Sequence, residues 1–329
     1  MSGLAAALGL TEAGRTVEVL EKAPGLGSRA GAHTEGLRNY GKADALEELA
    51  AYGIRIEPFA TAHTTIRRSQ HFMNVLHGPA YYLVARGDGR ACLDRQLFER
   101  ARRAGAHVRF GVEARPEEVD IVATGPPSDR RSLFSVGYTF TRQGSALDDG
   151  TLYALLDNDI APGGYFAIAP GPEAHSLYTV AWTDLDPSSL WRRVEAAMRL
   201  PWVQELMGSS RRVQPIAGGA YFAADPIAEA VSPSGALRVG EAAGFQDPIA
   251  GYGVRCALVS GALAARSLVD GADFRDLLRN AFGTEFQEAY AFRQQLNRAT
   301  NEDMDRLVAS MGPEMDLAAY RTHRSSRLL

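Results

Sequence analysis

The 329-residue chain carries 39 acidic and 35 basic residues, a formal net charge of −4, and 46% of its residues are hydrophobic. This composition allows a large buried core in one or two domains and argues against a polyanion-binding surface, so nucleic acid is not an expected partner. Cys92 and Cys256 are far apart and outside any C-x-x-C motif, which excludes a disulfide scaffold and favours a reducing compartment.

The predicted elements begin with a helix rich in small residues over 3–14, which Gly14 closes. A strand over 16–20 follows and ends at Glu21. A helix whose outer positions are mostly alanine normally packs closely on a sheet. The chain then continues as a glycine-rich loop over 24–36, a helix over 42–52 and a β-rich stretch over 54–87.

The next predicted elements are an amphipathic helix over 93–105 and two strands over 107–110 and 119–123. A β-rich block follows over 133–225 and contains a helical insert over 188–207. The chain ends with a strand–loop–helix unit over 237–268 and a helical tail from residue 274. Apolar residues in the β-rich block alternate with polar or small ones, as strands facing a core do. No stretch reaches the roughly 18 apolar residues of a membrane span, so we expect a cytoplasmic protein with at most peripheral membrane contact.

The first motif is half of a dinucleotide-binding fingerprint. Gly3 opens the first helix, and Glu21 ends the following strand 18 residues later. Gly3 would allow close packing of helix on strand, the helix N-terminus would face a pyrophosphate, and Glu21 would accept from ribose hydroxyls. Met1 and Ser2 would then be variable positions of G-x-G-x-x-G, so we expect the protein to extend upstream by a strand and two glycines. An ordinary amphipathic helix followed by a strand is the alternative.

The second motif, residues 239–265, resembles the second flavin-binding signature of the geranylgeranyl-reductase family, which recurs in FAD hydroxylases and lycopene cyclases. The resemblance implies that Gly240 and Glu241 lie by the FAD ribityl chain. It also implies that Pro248, Gly251 and Gly253 bring main chain against the isoalloxazine ring before a long helix. Glycines permit that approach, and the helix N-terminus stabilises charge on reduced flavin. The family has Asp where this chain has Glu241, and a generic glycine-rich turn is the alternative.

Three shorter segments are similar to other parts of these flavoproteins. Arg29 follows Gly27 and Ser28, as an arginine follows the ribose-binding acid in many of them. Arg90 opens an R-x-x-L-D helix whose arginine lies near FAD in the family, and Gly125 ends an Ala-Thr-Gly strand. The alternatives are a plain loop, a simple helix start and a buried strand that ends in a turn.

The substrate side is less informative. Residues 161–170 resemble a strand of reductase and halogenase relatives, but Ala167 replaces its tryptophan. The Trp-x-Trp-x-Ile-Pro motif of the halogenases is also absent, which argues against halogenation. Tyr165 and Phe166 either line an apolar pocket over the flavin or belong to the core. Asp247 and Tyr252 are the nearest candidates for proton donation, with a structural role as the alternative. The catalytic residues remain unknown, and the histidines show no metal-ligand spacing, so no metal is expected.

The expected fold class is α/β. A Rossmann-like FAD-binding domain (1–130 and 235–272) would carry an inserted antiparallel β-sheet substrate domain (131–234) and a helical C-terminal tail (273–329). The arginine pairs, among them Arg67 and Arg68, are interpreted as solvated helix ends.

The resemblance implies FAD as the cofactor and NAD(P)H as a candidate electron donor. The implied activity is the reduction of carbon–carbon double bonds in an isoprenoid-like or other lipophilic small molecule, by an N-terminally truncated geranylgeranyl-reductase-like enzyme. One alternative is an FAD-dependent monooxygenase, and another is a truncated, flavin-free protein without enzyme activity. The sequence leaves the oligomeric state open.

Overall fold

The structure is a computed structural model that describes residues 1–27, 33–41 and 43–322. Its strands are β1 (Glu18–Glu21), β2 (His33–Arg38), β3 (Ala60–Arg68), β4 (Met73–Arg86), β5 (His107–Phe110), β6 (Ile121–Val122), β7 (Leu133–Thr141), β8 (Thr151–Leu155), β9 (Tyr165–Ala169), β10 (Ala174–Ala181), β11 (Arg212–Ala220), β12 (Leu237–Arg238) and β13 (Glu314–Asp316).

The helices are α1 (Ser2–Glu12), α2 (Ala45–Ala51), α3 (Leu93–Arg103), α4 (Pro187–Ala197), α5 (Pro201–Met207), α6 (Pro226–Glu229), α7 (Val254–Asp270), α8 (Phe274–Phe282), α9 (Glu285–Leu296), α10 (Asn301–Ser310) and α11 (Leu317–Thr322). Short 3₁₀ turns cover Pro116–Glu118 and Gly240–Ala243.

A Rossmann-like region contains two parallel strand pairs, β1 with β5 and β6 with β12. Helices α1 and α7 pack beside them with their backbones in contact. A Cβ added to Gly261 would lie 2.3 Å from the carbonyl oxygen of Ser2, so only glycine permits this approach. Together with the curled sheet described next, this region confirms the expected α/β class.

A larger, mostly antiparallel sheet of nine strands stands beside that region. Its order is β11-β7-β10-β9-β8-β3-β4-β13, with β2 also paired to β4. Strands β3 and β8 are parallel, as are β4 and β13. The sheet takes β2, β3 and β4 from the segment before residue 131 and β13 from the tail, so it extends beyond the expected insert. The domain boundaries themselves stay a prediction.

Two segments differ from their expected secondary structure. The expected loop over 24–36 contains the start of β2, and the expected helical tail contains β13. Strand β13 has two acids among its three residues and is too short for an alternating hydrophobic pattern to predict it. It forms because the edge of β4 offers unpaired main-chain groups, a tertiary effect that local pattern does not encode.

The tail packs on the large sheet rather than standing apart from it. Buried side chains from α9, α10 and α11 meet buried residues of β4 in one hydrophobic cluster, for example Met304, Val308 and Tyr320 against Leu76 and Leu83. A second cluster lies under α1 and α7, and a third joins β7 and β10 to α4 and α5. The tail therefore fixes one end of the sheet that carries the site.

Candidate functional site

A groove of about 420 Å³ lies where the Rossmann-like region meets the large sheet. The first residues of α1 form one wall, and β10 and β11 form another. The loop between β12 and α7 closes the groove. The expected site residues that line it are Gly125, Glu241, Gly251 and Gly253.

Three more of the expected residues, Gly3, Gly240 and Pro248, do not line the groove. Gly3 is in α1, where an added Cβ would lie 3.1 Å from the Cβ of Ala123. Gly240 has a φ of +58°, and an added Cβ would meet the Ser2 hydroxyl at 2.8 Å, so it shapes the turn beside the groove. Pro248 is buried in the loop.

Two charged residues of the same prediction, Glu21 and Arg90, do not line the groove. Glu21 ends β1, and its carboxylate accepts a hydrogen bond from the Ala23 amide at 2.8 Å. Arg90 is exposed in the turn before α3. Arg29 lies outside the described residues. The contribution of these three side chains to cofactor binding stays a prediction.

The groove holds a different arginine that the sequence did not single out. Arg86, at the end of β4, binds both oxygens of Asp94 at 2.8 and 3.1 Å and donates to Glu35 at 2.7 Å. Burial raises the carboxyl pKa values, but the Arg86 charge outweighs it and holds the pKa of both Glu35 and Asp94 at about 2. The three residues form a fixed charged cluster beside the first turn of α1.

Glu241 is the isolated acid of the groove. Its carboxylate accepts one hydrogen bond, from the Tyr221 amide at 3.1 Å. Burial, helped by the charge of Glu35, raises the pKa of Glu241 to about 7 despite that bond and the charge of Arg86. A carboxyl group with so few donors is suited to accept hydrogen bonds from a ligand.

The N-terminal end of α7 faces the groove. Its N-cap residue is Gly253, so no side chain caps the helix. Both Gly253 and Ala257 line the groove. The first amides of a helix lack intrahelical acceptors and carry a positive partial charge. This end of the groove therefore favours negative charge on a ligand.

The loop that precedes α7 is held rigidly. Asp247 accepts the Ile249 amide at 3.0 Å and pairs with Arg38 at 3.0 Å, so its carboxylate is already engaged in structure. Arg293 from α9 donates to the carbonyl of Ile249 at 3.0 Å. Of the two expected proton donors, only Tyr252 lines the groove.

A narrow inner cavity of about 60 Å³ continues from the groove. Gly36, Tyr165, Tyr178 and Tyr252 line both spaces. The Tyr165 hydroxyl donates to the Ala250 carbonyl at 2.8 Å, whereas Phe166 is fully buried in the core on the other face of β9. Of the two aromatic residues considered from the sequence, Tyr165 therefore lines the pocket and Phe166 does not.

Arg67 was misinterpreted from the sequence. It lies in β3 rather than at a helix end, is 3% exposed and lines the inner cavity. Adjacent arginines in a strand point to opposite faces, so one of a pair can be buried while its neighbour is not. No local pattern distinguished this pair from the others.

None of the helices in the described part of the chain is both long and apolar enough to cross a bilayer.

Comparison with known proteins supports the same architecture. The family model described as flavin containing amine oxidoreductase matches residues 1–48, which include the expected half fingerprint. No curated protein shows significant sequence similarity to the chain.

Solved structures match the chain along nearly its whole length. A geranylgeranyl bacteriochlorophyll reductase-like protein from Thermoplasma acidophilum is 17% identical with a TM-score of 0.77, and the match covers 99% of this chain and 92% of that one. A flavoprotein/dehydrogenase from Cytophaga hutchinsonii is 15% identical with a TM-score of 0.66, covering 99% and 89%. The flavin-dependent brominase Bmp2 is 15% identical with a TM-score of 0.60, covering 93% and 89%. The chain thus has the fold of the flavin-dependent oxidoreductases and halogenases.

Proposed function

We propose that this chain is an FAD-dependent oxidoreductase that reduces carbon–carbon double bonds of a lipophilic substrate. The observation that carries the proposal is the convergence of two helix N-termini and Glu241 on one groove. Helix N-termini attract anionic groups, and a carboxylate with few donors accepts hydroxyl hydrogen bonds.

The residues of the groove suit FAD. Its pyrophosphate needs main-chain amides, which the start of α1 supplies. Its ribityl hydroxyls need an acceptor, and Glu241 is one. The flat ring needs backbone without side chains, and Gly251 and Gly253 line the groove for that purpose.

When bound and reduced, FAD supplies a hydride for transfer to an alkene. The chain's own residues bind and orient the substrate and exclude water from it. Tyr165, Tyr178 and Tyr252 bring aromatic surface to the junction between groove and inner cavity. Burial raises the pKa of Tyr252 well above its ordinary value, so its Oη holds a proton at neutral pH.

The first experiment is to measure the flavin content of the purified protein. A yellow protein that releases FAD on heat denaturation is the expected result, and a protein that stays colourless after incubation with FAD would refute the proposal. Glu241→Ala should lower FAD affinity about 10-fold, by loss of its hydrogen bonds to the ribityl hydroxyls. Glu99→Gln, on the exposed face of α3, should leave the affinity unchanged.

The second experiment tests the reaction. Anaerobic incubation with NADPH should bleach the flavin absorption, and addition of geranate should restore it as a saturated product forms. Oxygen uptake coupled to a hydroxylated product would instead identify a monooxygenase and overturn the proposed reduction.

A further inference from the structure

The inner cavity contains an unusual cation. Arg67 is 3% exposed and lines the cavity, and among the described residues its Nη2 has no hydrogen-bond partner. Its other contacts are with neutral groups: Nη1 lies 4.0 Å from the sulfur of Met311, the guanidinium stands 4.4 Å from the ring centre of Tyr320, and the Tyr81 side chain is a hydrogen-bond partner. A buried cation without an anionic partner is costly, so its position calls for an explanation.

The guanidinium remains charged. Burial alone lowers the pKa of Arg67, but the neighbouring tyrosines, Tyr320 first and then Tyr81 and Tyr40, reverse that effect and place the pKa above its ordinary value. Within the described parts of the chain, no carboxylate oxygen is within ion-pair distance of Arg67. The charge is therefore available to a ligand.

A second polar group lies beside it. Thr65 is two residues away on β3, so both side chains project from the same face of the strand. Thr65 is 3% exposed and lines the same cavity, and its hydroxyl has no hydrogen-bond partner in the described structure. Two buried polar groups without partners, the Thr65 hydroxyl and Nη2 of Arg67, thus belong to residues that line one space.

The floor of the cavity connects these donors to the groove. Strand pairing places Arg67 opposite Ala154, Ala154 opposite Ala167, and Ala167 opposite Tyr178, all of which line the cavity. The two alanines leave room above the sheet between the larger side chains. Three strand spacings separate Arg67 from Tyr178, about 14 Å. Tyr178 also lines the groove, so the row leads from the groove to the arginine.

We propose that the inner cavity binds a carboxylate at one end of the substrate, with Arg67 and Thr65 as donors. The substrate is then amphipathic, with an apolar body near the tyrosines and an anionic end at β3. This inference rests on the proposed function, because it places that substrate in the cavity next to the flavin groove. The narrowness of the cavity restricts it to the terminal group and leaves the rest of the molecule at the junction with the groove, beside Tyr165, Tyr178 and Tyr252.

The test compares geranate with geraniol, which share an isoprenoid chain and differ in charge at one end. Titration calorimetry should show that the wild-type protein binds geranate roughly 10- to 100-fold more tightly than geraniol, the effect of hydrogen bonds to a charged group. Arg67→Gln should abolish this preference and leave geraniol affinity unchanged. Arg68→Gln, whose side chain lies on the opposite face of β3 over the ring of Trp202, is the matched control and should retain it.

Two further variants keep the test decisive if Arg67→Gln does not fold, which circular dichroism would reveal. Thr65→Val is close in shape and should reduce the preference about threefold by removing one donor. Arg67→Lys keeps the charge and should retain part of the preference. Equal affinities of the wild type for geranate and geraniol would overturn the proposal, as would a full preference in Arg67→Gln.

The flavin measurement separates this inference from the proposed function. A colourless protein that prefers geranate through Arg67 would refute the flavin function and support the anionic site. A yellow protein without any preference for geranate would refute the anionic site alone.

Discussion

Arg293 and Ile249 are joined by a hydrogen bond of 3.0 Å between a fully buried guanidinium and a main-chain carbonyl. The same guanidinium donates to the Gly163 carbonyl at 2.6 Å and lies 4.7 Å from the ring centre of Trp182. One side chain from the tail thus fixes the loop before α7 to the start of the β9 strand. The tail is thereby part of the groove's framework.

Removal of this link should destabilise the protein and loosen the loop. In Arg293→Ala the carbonyls of Ile249 and Gly163 lose their donor inside the fold, and a cavity remains. We expect a loss of about 3 kcal/mol in the free energy of unfolding, measured by urea denaturation. Arg298→Ala, at an exposed position nearby, should change it by less than about 0.5 kcal/mol. If Arg293→Ala lowered the free energy of unfolding as little as the control does, the hydrogen bonds of Arg293 would not hold the loop.

The cluster of Arg86 with Glu35 and Asp94 should make a pH-dependent contribution to the free energy of unfolding. The pKa of Asp94 is lowered from its ordinary 3.8 to about 2, so its stabilisation is present above pH 4 and is lost as the pH falls towards 2. Asp94→Asn should therefore cost about 2 kcal/mol at pH 7 and much less at pH 2.5. Urea denaturation at both pH values measures this. The exposed Asp88→Asn is the control, and an equal cost of Asp94→Asn at both pH values would disprove the prediction.

The protonation of Glu241 should change the stability of the protein with pH in the opposite direction. Its pKa rises from the ordinary 4.5 to about 7 in the folded state, so the folded protein holds a proton there that the unfolded chain has released. In the ligand-free protein, stability should fall by about 2 to 3 kcal/mol as the pH rises from 4.5 through 7. Glu241→Gln should lack this decrease, and Glu99→Gln should keep it. The comparison uses urea midpoints at pH 5 and pH 8, and a decrease that persists in Glu241→Gln would rule out this residue as its source.

Contact between α1 and α7 makes Gly261 intolerant of a side chain. The added Cβ of Gly261→Ala would lie 2.3 Å from the Ser2 carbonyl oxygen, a main-chain atom that cannot turn away. We expect a loss of about 2 kcal/mol, because the cost of overpacking exceeds the gain in helix propensity. Gly218→Ala has nothing within 4 Å of the new Cβ and should be nearly neutral. Thermal or urea denaturation of the two variants would show no difference if α1 and α7 could separate freely.

Sequence patterns singled out several residues of the groove because these residues lie close together in the chain. Four of the residues expected to bind the cofactor line the groove, and three of them, Glu241, Gly251 and Gly253, belong to one continuous segment before α7. Arg86 and Arg67 were missed because each depends on partners distant in sequence. Arg86 acquires its role from Glu35 and Asp94, which β2 and α3 bring to it.

The sequence by itself determined the alternation of helices and strands, the α/β class and the glycine-rich loop that opens α7, because periodicity, capping and backbone freedom act over a few residues. Only the tertiary structure decided that β13 pairs with β4 and that Arg293 holds the loop before α7. It also decided that Arg67 lies buried beside Ala154 and Ala167 on the neighbouring strands. These depend on strand register and on the packing of distant segments. Burial, rather than residue type, distinguishes Arg67 from the exposed arginines of the chain.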